Sequence, residues 1–323
     1  MLRIITLAVT AALAFTGGAF AQGSSWKPDK PIKAVVPFAA GSATDGIARI
    51  VLDEVGRQLG QSVVIENRAG ASGTLGAQIV AKSDPDGYTV LVAASSHTVT
   101  PSTFSQLPYD AAADFTPVAP LVSIPNVIVV NAKRDYKSAK DLVDDAKKRP
   151  GALNYASAGA GSATHLAAER FKLSGGFVAQ HVPFKGSSEA ITEMLSDRID
   201  FYASPINAAM PLIKDGKLRA LAVSSQQRAS ALPDIPTTVQ SGLPDSGYEF
   251  WVGVLLPKNT PKPIVDAFYS AINKSIAEPA LAKKLADLGA DPMKMSPAEF
   301  AKMIQDEIKS NATVVKAAGI KVN

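Results

Sequence analysis

The sequence predicts an α/β protein of two lobes, each a three-layer α/β/α sandwich with helices on both faces of a sheet. Three observations carry this prediction. Short β-branched runs alternate with helical stretches along most of the chain, which reads as α/β with a largely parallel sheet. The runs are continuously apolar rather than alternating, as expected of strands covered on both faces. The plan then occurs a second time, and 323 residues suffice for two cores.

The elements follow in order. Ala34 to Pro37 reads as a strand, followed by a helix near Thr44 to Leu59, a strand from Val63 to Glu66, a helix near Thr74 to Lys82 and a strand from Thr89 to Ala93. The second unit runs from Val127 to Val130 through a helix from Ser138, a strand from Leu153 to Ser157 and a helix from Ala163. It continues with Gln180 to Val182, a helix near Ser188 to Leu195, and strands from Ile199 to Ala203 and Leu218 to Val223. Pro233, Pro236, Pro244 and Gly247 then mark a loop-rich passage before a strand from Trp251 to Leu256. Helices near Pro263 to Ala277, Pro279 to Leu288 and Pro297 to Ala317 complete the chain. Ser138 with Asp141, and Ser296 with Pro297 and Glu299, are helix-start signals with a structural purpose. A first lobe made of the first five elements and the last helices, interrupted by the second unit, needs two crossings, near 123–126 and 225–234. Two such crossings make a hinge. The expected division is 1–21 as a leader, 22–123 with 234–323 as lobe 1, and 124–233 as lobe 2.

Arg3, the apolar run from Ile4 to Phe15 and the ending Ala19-Phe20-Ala21 have the plan of a secretory signal peptide cleaved after Ala21. That run is too short to span a bilayer, and no later segment is long and apolar enough. The chain has no cysteine, which excludes disulfides, thiolate metal sites, a cysteine nucleophile and a lipid-modified cysteine. Export without an anchor points to the periplasm. The net charge of +4 is spread thinly and implies no nucleic-acid partner. Lys147-Lys148-Arg149 closes a helix that also carries Asp141, Asp144 and Asp145, where cations suit the helix dipole.

Twice a strand breaks into a turn of small residues and becomes a helix: at Pro37-Phe38-Ala39-Ala40-Gly41-Ser42-Ala43-Thr44-Asp45, and at Ser157-Ala158-Gly159-Ala160-Gly161-Ser162-Ala163-Thr164-His165. Such turns let a ligand reach backbone N–H groups at the positive end of a helix dipole, which favours carboxylates and phosphates. Neither turn holds Lys or Arg, so an anion there is held by dipoles and hydroxyls. Asp45 either serves the dipole alone or fixes the first turn toward a ligand. Phe38 flanks a ligand or fills core.

No catalytic signature is present: G-x-S-x-G, the P-loop pattern and H-E-x-x-H are all missing. Gly159-Ala160-Gly161 begins a dinucleotide fingerprint, but Thr164 stands at its third glycine. The three histidines, His97, His165 and His181, are scattered without a carboxylate cluster, so neither a metal nor another cofactor is expected. His97 is open between ligand contact and loop hydrogen bonding, His165 orients the second turn, and His181 is structural.

These pieces resemble the tripartite tricarboxylate transporter receptor family, the periplasmic solute-binding proteins of Bug or TctC type. The resemblance rests on Pro37 to Asp45 with Ala48-Arg49, Asn67-Arg68-Ala69-Gly70-Ala71-Ser72-Gly73, Pro85-Asp86-Gly87-Tyr88-Thr89 and Leu107-Pro108-Tyr109-Asp110 with Asp114-Phe115. It continues through Asn154-Tyr155 to His165-Leu166, His181 to Gly186, and Gly216 to Ala222. It implies a type II periplasmic-binding-protein (Venus-flytrap) fold whose turns face each other across a cleft and hold a ligand carboxylate. The binding positions it implies are Phe38, Ala39, Gly41, Ser42 and Asp45 on one lobe, and Ser157, Gly159, Gly161, Ser162, Ala163 and Thr164 with His165 on the other. Ser95, Ser96, Ser204 and Pro205 meet the distal end of the ligand. Where the family often has a second glycine, this chain has Ser42.

The function expected is therefore a non-enzymatic, monomeric receptor that passes a small organic acid to membrane permease subunits. Two alternatives stand beside it: a ligand sensor for a kinase or chemoreceptor, and an exported hydrolase using Ser162 or Ser96 with a histidine and an aspartate.

Overall fold

The computed structural model describes residues 26–184 and 186–320. The leader and its cleavage after Ala21 lie outside the described residues. Two sheets organise the chain: the first begins with the strand that precedes a glycine turn, and the second with the strand that follows the outgoing crossing.

The first sheet contains β1 (Ile32–Val36), β2 (Val63–Asn67), β3 (Thr89–Ala94), β4 (Phe115–Ser123), β10 (Trp251–Pro257) and β11 (Asp291–Pro292), in the order β11-β4-β10-β3-β1-β2. The second contains β5 (Asn126–Asn131), β6 (Asn154–Ser157), β7 (Gln180–Pro183), β8 (Phe201–Pro205) and β9 (Leu218–Val223), in the order β7-β6-β8-β5-β9. Both share one arrangement. Three parallel strands, β3-β1-β2 or β8-β6-β7, are flanked by an antiparallel strand, β10 or β5. The sheets are thus mixed where the sequence pattern reads as largely parallel. The reason is the crossings: β10 and β5 arrive from the other lobe and enter against the local strand direction.

Helices cover both faces of each sheet. α1 (Ala43–Leu59), α8 (Lys262–Ile276) and α9 (Pro279–Asp287) pack on one face of the first sheet, while α2 (Thr74–Ala81) and α10 (Pro297–Ala317) pack on the other. In the second lobe, α4 (Ala139–Lys148) and α5 (Ala163–Gly175) lie opposite α6 (Ser187–Leu195) and α7 (Ile206–Lys214). One-turn α3 (Thr100–Thr103) follows the turn at Ser95–Thr98. Ser138 and Ser296 each form a capping box, with Asp141 and Glu299. No helix among the described residues is long and apolar enough to cross a membrane.

The chain leaves the first lobe between Ser123 and Asn126 and returns at Tyr248–Trp251. There Tyr248 N–H donates to Ser224 O at 2.7 Å and Ile124 N–H to Phe250 O at 2.7 Å. The passage between stays with the second sheet: Val223 bridges Thr237, and Leu243 and Tyr248 sit in the second lobe's core. α10 reaches across, its Val315 joining that same core.

Candidate functional site

The two glycine turns occupy equivalent places, after β1 and after β6, each the strand next to the outer edge of its parallel trio. Gly41-Ser42-Ala43-Thr44-Asp45 and Gly161-Ser162-Ala163-Thr164-His165 differ only at the last residue, and they fold alike. Gly41 and Gly161 have φ of 80° and 74°, the left-handed region that glycine enters freely. Ser42 and Ser162 are extended N-caps whose hydroxyls accept from Asp45 N–H and His165 N–H, both at 3.3 Å. Removing either cap costs about 1 kcal/mol. Ser162→Ala is therefore expected to lower unfolding free energy by about that amount in a denaturant titration, since a cap lost to alanine leaves a donor unmet.

The fifth residue then reaches back to the glycine. Gly41 N–H donates to Asp45 Oδ2 at 2.8 Å, and Gly161 N–H donates to His165 Nδ1 at 3.0 Å. Neither glycine N–H is free for a ligand. In the second turn Ala158 N–H and Gly159 N–H are also held, by Thr164 Oγ1 at 2.8 Å and Ser157 Oγ at 3.1 Å. The N–H groups that a helix start leaves without intrahelical partners are those of Ala43 and Thr44, and of Ala163 and Thr164. The Ser42 hydroxyl lies beside them at the first turn, while that of Ser162 lies 2.9 Å from Thr164 Oγ1.

Beneath the first turn, Asp45 is buried yet charged. Burial acts to raise its pKa, but hydrogen bonds from Arg49 Nε (3.0 Å), Gly41 N–H and Asn67 Nδ2 (2.9 Å) outweigh it and hold the carboxyl below its ordinary value. Asn67 Nδ2 also donates to Phe38 O at 3.0 Å, so the end of β2 fixes the turn's entry. Sequence reasoning missed the role of Arg49 and Asn67. Arg49 lay one helical turn from Asp45, a spacing that puts both on one face.

Beneath the second turn the charge is absent. Burial first, then the positive charges of a protonated His181 and of Lys172, push the His165 pKa down to about 3, so the ring is neutral. Its Nδ1 accepts from Gly161, which places the ring hydrogen on Nε2, 3.8 Å from Glu169 Oε1. His165 stacks on His181 with ring centroids 3.8 Å apart, and His181 Nε2 lies 2.6 Å from Ser157 Oγ. Glu169 takes Tyr155 OH and, at 2.7 Å, Lys172 Nζ. His181 is thus part of the scaffold that shapes the turn.

The remaining predicted positions divide. Ala39 and Gly41 are exposed, Ser42 and Gly159 to Ala163 are half-buried or exposed, and Phe38 and Ser96 line one small cavity. Ser95, Ser157 and Ser204 have no exposed surface. Their hydroxyls meet Tyr248 OH (3.1 Å), His181 and Pro205 O (3.2 Å) respectively, while Pro205 starts α7. His97 Nε2 lies 2.8 Å from Ala111 O inside an aromatic cluster with Tyr109 and Phe115. Neither His97 nor His165 has its ring on a serine. Among the described residues the side-chain Ser–His contact is Ser157 with His181, and Ser157 there has no exposed surface. Among the described residues no group of three or more His, Asp or Glu side chains is placed to hold a metal ion.

Against known proteins, residues 47–320 match the family described as tripartite tricarboxylate transporter family receptor. The chain is 35% identical to Protein BugT of Bordetella pertussis over 91% of each chain. Two solved structures share its architecture. Rpa4515 of R. palustris, solved with adipate, is 33% identical with a TM-score of 0.75, covering 91% of this chain and 99% of that one. MatC of Rhodopseudomonas palustris, with bound malate, is 32% identical with a TM-score of 0.72, covering 89% and 99%. With its two mixed sheets, double crossing and paired turns, the chain belongs to the tripartite tricarboxylate transporter receptor family and has the type II periplasmic-binding-protein fold.

Proposed function

We propose that this protein is a periplasmic receptor that holds a small organic acid by its carboxylate between the two glycine turns and delivers it to the permease subunits of a tripartite-type transporter. The observation that carries this reading is the pair of Gly-Ser-Ala-Thr turns, each presenting helix-start N–H groups and a serine hydroxyl without a nearby Lys or Arg in the turn. Adipate and malate in two relatives support a carboxylate ligand. Hydrogen bonds to a charged group contribute about 1.5–3 kcal/mol each, so four or five of them, less the cost of association, reach micromolar affinity. No metal, cofactor or catalytic step enters this reading.

In it, the chain is exported, cleaved after Ala21 and acts as a monomer. The contacts come from Phe38, Ala39 and Ser42 with the α1 start on one side, and Gly159 to Thr164 on the other. Asp45, His165 and Ser157 act from beneath by shaping the turns. Lobe 1 comprises 22–123 with the C-terminal part, and the return is better placed at 248–251 than at 234.

A thermal-shift screen across organic acids, adipate and malate included, tests this directly. A ligand at a hundred times its Kd stabilises the fold by about 2.7 kcal/mol. Calorimetry with the best acid should then show Gly41→Val and Gly161→Val binding at least about tenfold more weakly, because valine disfavours positive φ and its branches occupy the approach to the turn. Unchanged affinity in both variants would remove the turns as the site.

A further inference from the structure

Among the described residues three asparagines are almost wholly buried: Asn126 (2% exposed), Asn131 (3%) and Asn311 (0%). A buried amide with an unpaired donor costs stability, so each is expected to have its partners. Two do. Asn131 Nδ2 donates to Met194 O at 3.2 Å and Leu195 O at 3.3 Å. Asn311 Nδ2 donates to Thr98 Oγ1 at 2.9 Å, while its Oδ1 accepts from Arg170 Nη2 at 2.9 Å. Asn126 Nδ2 has no hydrogen-bond partner among the described residues. The carbonyls beside it are nevertheless paired: that of Asn126 accepts from Ser224 N–H at 2.8 Å, and that of Pro125 from Ile206 N–H at 3.0 Å.

Asn126 opens β5 on the outgoing crossing and pairs with Pro205, the last residue of β8. β8 runs parallel to β6, so Asn126 lies at the same sheet edge as Ser157, from which the second glycine turn departs. The two are two strands apart, about 10 Å. Alternation along β5 sets Asn126 on the face of Ile128 and Val130, which pack in one cluster with residues of α5, with Tyr248 of the return crossing and with Val99 of the first lobe. Val99 directly follows the turn at Ser95–Thr98. The unpaired donor therefore belongs to the edge of the second sheet that meets the other lobe.

We propose that Asn126 is a further ligand-binding residue, whose Nδ2 donates to an acceptor at the far end of the organic acid, and that the acid accordingly carries a second acceptor group there, as a diacid does. The inference rests on the reading of the glycine turns as the carboxylate site and assigns the opposite end of the same ligand. A donor two strands from the second turn meets the other end of a short chain whose first carboxylate that turn holds. Val99 comes from the other lobe, so rotation about the crossings changes what covers the amide. An acid without the far acceptor leaves the donor unpaired when bound, and a site built to hydrogen-bond a group rejects the analogue that lacks it.

Adipate and hexanoate, equal in chain length and different in the second carboxylate, test this by calorimetry. The natural chain should bind adipate at least about tenfold more tightly than hexanoate, and Asn126→Leu should lose about that factor for adipate while binding hexanoate unchanged. Melting without any acid gives an independent readout. Asn126→Leu removes an unpaired donor and should melt about 2 °C higher or more, whereas Asn131→Leu strips two carbonyls of their donor and should melt lower. The proposal is overturned if a folded Asn126→Leu melts below the natural chain, since the amide then has a partner such as water in the free protein. It is also overturned if that variant keeps its adipate affinity, or if the natural chain binds both acids alike or neither. Should Asn126→Leu fail to fold, the side-chain amide signals of Asn126 in the natural chain decide by NMR: a shift with adipate and not with hexanoate supports the contact, and any other result rejects it. Failure of the glycine-turn reading shows separately, as an unchanged affinity of Gly161→Val for the acid.

Discussion

Replacing Asp45 by alanine is expected to cost about 2–4 kcal/mol of stability and to weaken binding of the cognate acid by at least about tenfold. Three donors converge on this one buried carboxylate: Gly41 N–H, Arg49 Nε and Asn67 Nδ2. Arg49 is half-exposed and can return to water, so its loss is cheap. Gly41 N–H and Asn67 Nδ2 lose the acceptor they share, and Asn67 is then held only by Phe38 O. With the carboxylate gone the turn loses the bond that sets the Gly41 peptide plane, and the helix-start N–H groups lose their aim. Asp45→Asn should do nearly as badly, because one side of its amide presents a donor to donors. Denaturant titration and calorimetry on both variants check this, with Arg49→Lys as the mild control. If Asp45→Ala kept its stability and its affinity, the carboxylate would be a dipole ornament and nothing more.

How Asp45 works also shows where the sequence stops being legible. Its place at a helix start was readable, as were both turns, the caps at Ser138 and Ser296 and nearly every helix, because each is written in local patterns. The destination of the glycine N–H groups was not. Reading Gly41 and Gly161 as direct donors to a ligand overlooks the fifth residue, and only the folded turn shows Asp45 and His165 taking those hydrogens. β4 escaped for a different reason. Pro117 and Pro120 argue against a strand, yet they pair with Leu255 and Gly253 beside two register shifts, where a missing N–H does least harm. α7 likewise contains Pro211, which marks a break by sequence and is absorbed in a short helix. The cluster of Tyr155, Glu169, Lys172 and His181 joins a strand, a helix and a neighbouring strand, so no window of sequence contains it.

Glu307→Gln should leave stability nearly unchanged at pH 5 and raise it by about 3 kcal/mol or less at pH 8, the size set by the distance between its folded and unfolded pKa values. Burial foremost pushes Glu307 from an ordinary 4.5 to about 7, hydrogen bonds from Trp251 and Thr98 and the charge of Arg170 pull it back, and Glu249 adds to the rise. A carboxyl whose folded pKa is raised contributes stability fully below pH 4.5 and loses it as pH climbs through 7. The buried histidines run the other way. His97 and His165 are pushed down to about 4 and about 3, chiefly by burial, so their neutral forms support the fold above pH 6.5 and withdraw that support as acid charges the unfolded chain. Between pH 4.5 and 6.5 the two sets oppose each other and flatten the total curve. A melting profile of the natural chain alone therefore conceals both, whereas the difference between it and Glu307→Gln isolates one carboxyl. The amide that replaces the carboxyl keeps an oxygen for Trp251 Nε1 and Thr98 Oγ1, so the comparison removes the charge without removing the contacts. A gap that widens steadily from pH 5 to pH 7 and then levels off is the expected signature, and a gap that is constant across this range would mean that Glu307 stays ionised throughout.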